Sequence, residues 1–378
     1  MNFDFTEEQT MLRDSVARYV QDSYDFETRR KIADSDAGIS REHWRTFAEL
    51  GWLSVPFAEE FGGFGGNHVD TMVVMEELGK GLVLEPYLAS VLLFGGLLQR
   101  SDNGPLQGEY IPRVIEGSCL GAFAYLERQS RFELTDIKTR AESAGDAYTL
   151  NGEKVAVFNG ANADTLIVSA RTAGGQSDRE GISLFLLPAD AAGVTVTPYG
   201  MMDGQRVANI VLENVSVPAG NRLGAEGDGM ALMEPVVRDA ILALCAEALG
   251  IMAQLNAKTL EYTKTRKQFG VAIGSFQALQ HRMVDTFMAY EQTKSLLYRA
   301  VCEVEEGADT AASTVHALKV QVDKAGRQVF GEAIQLHGGM GLTDELDIGH
   351  FAKRLMMINT TFGNADHHQA AFNAARYG

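Results

Sequence analysis

Cysteine is scarce in this chain. Cys119, Cys245 and Cys302 are its three cysteines among 378 residues, far apart and odd in number. That excludes a disulfide framework and a cysteine-rich metal site, and it suits a reducing cytosol, the expected location. Cys245 lies within Leu242-Ala243-Leu244-Cys245-Ala246 and reads as a small core residue. Also missing is any apolar run of the ~20 residues needed to span a bilayer, so no membrane insertion is expected. Positive charge falls short as well: 33 Lys and Arg stand against 50 Asp and Glu, for a net charge of −17. Such a surface repels nucleic acid and anionic membranes as a whole, yet local arginines and helix N-termini can still hold a phosphate. The acidic start, Met1-Asn2-Phe3-Asp4-Phe5-Thr6-Glu7-Glu8, has no cationic segment followed by an apolar one, so no secretory signal is expected. Phe61-Gly62-Gly63-Phe64-Gly65-Gly66 fits neither the G-x-G-x-x-G nor the P-loop pattern and reads as a turn between helices.

What is present changes character twice along the chain. Residues 1–117 read as helical. Thr6 resembles a cap before an acidic first turn, Met11, Leu12, Val16, Tyr19 and Val20 recur at helical spacing, and helical periodicity resumes from Asp70 to Leu84. Residues 118–225 read as short strands. Tyr148 to Phe158 suggests two strands about an Asn151-Gly152 turn, followed by strands near 165–170, 182–187, 194–197 and 210–212. Residues 226–378 return to helix. Pro235 suits a first turn, and Ala240 to Ala253 is apolar all round apart from Glu247, as a buried helix would be. Further helices are expected near 276–303 and 311–336, the latter stopped by Gly338-Gly339, with a last one after Gly363. The fold class is α+β: a helical domain, a small β-sandwich or barrel, and a four-helix-bundle-like domain.

Three segments narrow this further: Arg266-Lys267-Gln268-Phe269-Gly270, Gln335-Leu336-His337-Gly338-Gly339-Met340-Gly341, and Thr361-Phe362-Gly363-Asn364. At this spacing, with Phe276-Gln277-Ala278-Leu279-Gln280-His281 after the first, the chain resembles the acyl-CoA dehydrogenase family over almost its whole length. The ending Thr360-Thr361-Phe362-Gly363-Asn364-Ala365-Asp366-His367-His368 is similar to the small-subunit group, of the pimeloyl-CoA dehydrogenase small-subunit kind. The resemblance implies FAD as cofactor, an acyl-CoA substrate, and removal of an α-proton with transfer of a β-hydride to the flavin. It implies a homodimer or tetramer, or a heteromer with a second chain of the same family.

It also assigns expected site residues. Arg266, Gln268 and Phe269 match the pattern through which one subunit reaches its neighbour's FAD, an arginine fork suiting a pyrophosphate and an aromatic face suiting a ring system. Gln335, Gly338 and Gly339 match the pattern near the adenosine end. Asn364 and Asp366 lie where the final loop meets the cofactor, and Asn364 also fits a helix cap. On the flavin-ring side only Glu127 survives within Leu126-Glu127-Arg128-Gln129-Ser130-Arg131-Phe132-Glu133. Ala156 stands where a tryptophan is usual, and Phe158 where a threonine is.

The family's catalytic glutamate falls on Phe362, and its alternative position falls on Ala240, beside Asp239. Asp239 is the candidate base; as a first-turn acid it would instead stabilise a helix dipole. His367 and His368 could titrate, but no third ligand is spaced for a metal, and none is expected. Three readings follow: an active FAD enzyme with Asp239 as base, a non-catalytic partner completing a neighbour's FAD site, or a flavin-free acyl-CoA-binding protein.

Overall fold

The computed structural model describes residues 5–377. Residues 1–4, part of the acidic start, lie outside the described residues. In chain order come helices α1 (Glu7–Ser23), α2 (Phe26–Asp34), α3 (Arg41–Glu49) and α4 (His68–Lys80), a π-helix (Tyr87–Gly95), then α5 (Gly96–Arg100) and α6 (Gly104–Ile115). Strands follow: β1 (Gly121–Ala124), β2 (Arg140–Ala144), β3 (Ala147–Phe158), β4 (Thr165–Arg171), β5 (Ile182–Pro188), β6 (Val194–Gly200), β7 (Arg206–Pro218) and β8 (Arg222–Leu223). Helix α7 (Gly229–Thr265), the ribbon β9 (Lys267–Gln268) and β10 (Val271–Ala272), and helices α8 (Gln277–Glu305), α9 (Ala311–His337), α10 (Ile348–Thr360) and α11 (Ala365–Tyr377) complete the chain. Contacts divide it into two compact units. Among the described residues, one comprises those up to 30, 68–83 and those from 241 onward, and the other 31–67 and 84–240.

The first unit is helical. Thr6 and Gln9 close a reciprocal capping box on α1, as the opening sequence suggests. Val16 is buried, whereas Met11 faces water. Helix α4 ends at Lys80, short of the expected Leu84. A Cβ at Gly81 would lie 2.5 Å from Val20, and Leu82 turns left-handed at φ +51°. The wholly apolar stretch of α7 is buried as expected, and Arg354 neutralises Glu247 inside it, Nε to Oε1 at 2.5 Å and Nη2 to Oε2 at 2.8 Å. Close backbone approach explains Gly250: its Cβ would sit 1.9 Å from the Glu76 carbonyl of α4.

The second unit centres on one eight-stranded sheet, ordered β6-β7-β3-β2-β4-β5-β8 with β1 pairing β4 in parallel. Ala122, Ala141, Leu150, Leu166, Phe185, Ile210 and Val215 share one core. The expected Asn-Gly hairpin does not form. β3 runs straight through Asn151-Gly152 as a bulge, and the reversal falls at Gly145-Asp146 between β2 and β3. The glycine serves close packing instead, since a Cβ at Gly152 would meet Thr139 Oγ1 at 2.4 Å. Pro235 likewise sits inside α7 rather than in its first turn. Residues 229–234 already form helix, and a proline there removes only one backbone bond.

Candidate active site

The last turns of α7 and α9 are fastened to each other. The Tyr262 ring stacks on His337 at 4.3 Å, and its hydroxyl donates to the His337 carbonyl at 3.3 Å. Immediately beyond Tyr262, Arg266 leads into the β9–β10 ribbon. Phe269 (φ +53°) and Gly270 (φ +84°) form its two-residue turn, both left-handed, as a type I′ hairpin requires. Phenylalanine is an unfavoured residue there, and its ring is 92% exposed. Arg266 and Gln268 are exposed too, as are Gln335, Gly338 and Gly339 at the end of α9. A Cβ at either glycine would meet nothing within 4 Å, so the backbone there is open to a ligand. The Tyr262–His337 link thus brings the two sequence patterns to one end of the bundle, a fastening no motif had indicated.

At the other end of the C-terminal region, α10 stops at Thr360 and α11 starts at Ala365. Asn364 caps α11, its Oδ1 accepting from the His367 amide at 3.0 Å. Asp366 is exposed in the first turn of that helix. Phe362 is left-handed (φ +56°) and only 9% exposed, so an apolar ring fills the expected carboxylate position. Sequence reasoning missed the partners of this loop on α9, His316 and Lys319. Lysine in a helix is ordinarily a solvated residue, and only packing showed Lys319 to be fully buried.

In the β unit the polar groups are engaged internally. Glu127 is 3% exposed and accepts from the amides of Lys138 (2.7 Å) and Thr139 (3.0 Å) and from Lys154 Nζ (2.8 Å). Burial alone would raise its pKa, but Lys154 and these hydrogen bonds outweigh it and bring it down to about 2. Lys154, fully buried, is lowered by burial to about 8 despite Glu127, and also donates to Ser169 Oγ. Ala156 (φ +50°) sits in a second bulge of β3, its amide donating to Asn209 Oδ1 at 3.2 Å. Phe158 is half-buried at the strand's end, opposite Val207. Next to it, left-handed Asn159 donates to Ser90 Oγ (3.3 Å), which donates on to the Gly121 carbonyl (2.8 Å).

Asp239 lies on α7 with one oxygen 2.5 Å from Arg100 Nη2 and the other 3.0 Å from Arg238 Nη2. Both carboxylate oxygens are held by guanidinium groups. Ala240 beside it is fully buried. Among the described residues, no three histidine, cysteine or acidic side chains gather as a metal site, and no helix is long and apolar enough to cross a membrane.

Comparison with known proteins agrees with this geometry. The acyl-CoA dehydrogenase N-terminal domain family matches residues 6–118, the middle domain family 122–215 and the C-terminal domain family 227–375. A short-chain-specific acyl-CoA dehydrogenase of Megasphaera elsdenii is 31% identical, over 79% of this chain and 80% of its own. The FAD complex of PigA superposes with a TM-score of 0.92 at 27% identity, covering 99% of this chain and 98% of that one. The ChsE4-ChsE5 complex from Mycobacterium tuberculosis gives 0.90 at 26% identity, with full coverage of both chains. The chain belongs to the acyl-CoA dehydrogenase family of FAD-dependent oxidoreductases.

Proposed function

We propose that this chain is a cytoplasmic subunit of an oligomeric acyl-CoA dehydrogenase of the small-subunit kind, and that on its own it oxidises simple acyl-CoA thioesters slowly. The observation that carries the reading is Phe362: a buried, left-handed aromatic residue where the α-proton would need a base. The candidate base Asp239 is held by two arginines, so accepting a proton would cost it those contacts. General-base catalysis contributes typically about 10²–10⁴-fold.

The residues present fit FAD unevenly. The open backbone at Gly338 and Gly339, with exposed Arg266, Gln268, Phe269 and Gln335, suits its nucleotide end. Asn364 and Asp366 would meet it at the start of α11. In the β unit, Glu127 is committed to Lys154 and the Phe158 ring is half-buried. When bound, FAD supplies the hydride acceptor; the chain's part is to bind and orient. Phe269, held in water on a strained turn, is placed to reach a second subunit. Val284, Phe287 and Met288, 53%, 56% and 48% exposed at steps of three and one on α8, are a further face for assembly. That the second subunit is a different chain is consistent with the two-component ChsE4-ChsE5 complex.

The test is the visible spectrum of the purified protein, alone and co-expressed with the product of a neighbouring gene, followed by anaerobic bleaching with a panel of acyl-CoAs. Rapid bleaching of the chain alone, undiminished in Asp239→Asn, would sink the partner-subunit reading. Rapid bleaching abolished by Asp239→Asn would make Asp239 the base of a stand-alone enzyme. Light scattering that finds only the 41.1 kDa monomer would remove the oligomer.

A further inference from the structure

The loop carrying Phe362 is gripped from two sides, by Lys319 of α9, which no motif singles out, and by His368 of α11. From α9, the fully buried Lys319 ammonium donates to three carbonyls, Ile358 at 2.8 Å, Asn359 at 3.3 Å and Gly363 at 2.9 Å. Its three protons therefore match three acceptors, two in the last turn of α10 and one beyond it. From α11, His368 is 1% exposed and places Nε2 3.0 Å from the Phe362 carbonyl. Its Nδ1 lies 2.9 Å from His316 Nδ1 on α9.

These contacts determine the protons. A carbonyl only accepts, so His368 carries its proton on Nε2. Burial, with the Lys319 charge nearby, keeps His368 neutral, so its Nδ1 accepts and His316 donates from Nδ1. Gly363 completes the arrangement. At φ +119° it leaves room for both rings, since a Cβ there would lie 2.6 Å from His367 Cδ2 and 2.7 Å from His368 Nε2. Left-handed backbone at a non-glycine residue such as Phe362 costs of order 1–3 kcal/mol and persists only where its surroundings over-determine it. Four directional hydrogen bonds to this short segment do that.

We propose that Lys319, His316 and His368 are positioning residues. By holding the carbonyls of Ile358, Asn359, Phe362 and Gly363 they set the direction of the Phe362 ring and the start of α11, where Asn364 meets the cofactor. The second half of this statement rests on the proposed function; the grip itself does not.

Hydrogen–deuterium exchange on the cofactor-free chain and flavin retention after gel filtration test it together. Glutamine at 368 keeps a donor where Nε2 stands, and asparagine does not. His368→Asn and Lys319→Met are expected to raise exchange of the 361–368 amides about ten-fold and to lower flavin retention. His368→Gln is expected to restore both. Should Lys319→Met fail to fold, the glutamine–asparagine pair decides alone. Unchanged exchange in His368→Asn, or a glutamine variant as loose as the asparagine one, would overturn the grip. Faster exchange with unchanged flavin retention would overturn the positioning role. A wild type that holds no flavin at all would count against the proposed function, while the exchange pattern would still judge the grip.

Discussion

The C-terminal bundle and the β unit use their polar groups in opposite ways. At the end of the bundle, Arg266, Gln268, Gln335 and the two glycines face water. In the β unit, Glu127, Lys154, Ser90 and Asn159 are all buried and bonded within the chain. Exposed groups on a strained turn are available to a ligand or a second subunit. Buried pairs hold a sheet together and cannot also serve a cofactor without losing their partners. A motif that survives in sequence, such as Glu127, can therefore have a purely internal role, while an exposed arginine such as Arg266 stays available to a ligand.

The sharpest way to break this comparison is to restore chemistry where the chain lacks it. Phe362→Glu in flavin-loaded protein is expected to raise the rate of anaerobic flavin reduction by acyl-CoA about 10²-fold or more. No acceleration would show that something other than the missing carboxylate limits the reaction. Next in size is the buried pair of the β unit. Glu127→Ala strands a buried ammonium and is expected to cost about 3–5 kcal/mol in urea unfolding. The pH dependence sharpens it. Because the folded carboxyl lies near 2, well below its ordinary value of 4.5, its stabilisation is fully present above about 4.5 and is lost as pH falls toward 2. The variant should flatten that limb of the acid-unfolding curve, and an unchanged limb would deny Glu127 its role.

On the bundle side the effects should fall on binding and spare the fold. Arg266→Ala is expected to weaken FAD retention about ten- to a hundred-fold with the melting temperature unmoved. Full flavin occupancy after gel filtration would reduce it to a surface charge. The smallest effect is at Phe269. Asn-Gly is the preferred pair for this turn, so Phe269→Asn should leave stability equal or higher by up to about 1 kcal/mol, while weakening self-association seen by light scattering. A large loss of stability would mean that the exposed ring supports its own chain.

Much of this architecture could be read before any packing was known, and the failures have a common cause. The Thr6 capping box, the Asn364 cap, the stop at Gly338 and the strands from Thr165 onward are local features, set by backbone preference and neighbours a few residues away. Asn151-Gly152 misled because a glycine tolerated in a turn is equally useful where Thr139 crowds the backbone of a strand. Pro235 misled because a long helix absorbs the loss of one hydrogen bond. Among the candidate residues, Arg266, Phe269, Gln335 and Asn364 stood out as motifs, whereas Lys319 and His316 did not, since nothing local distinguishes a buried lysine from a solvated one.

By itself the sequence determined the helical, β and helical order, the family and the lack of a carboxylate at positions 362 and 240. Each follows from residue identity at short range or at fixed spacing. Only the tertiary structure decided which polar groups remain available. It joined Tyr262 to His337, buried Glu127 against Lys154, held Asp239 between Arg100 and Arg238, and turned Lys319 onto the carbonyls of the Phe362 loop. Apart from Arg238, the chain neighbour of Asp239, those pairings join residues far apart in the chain, and a charge's chemistry depends on its partner and its access to water, neither of which a linear sequence records.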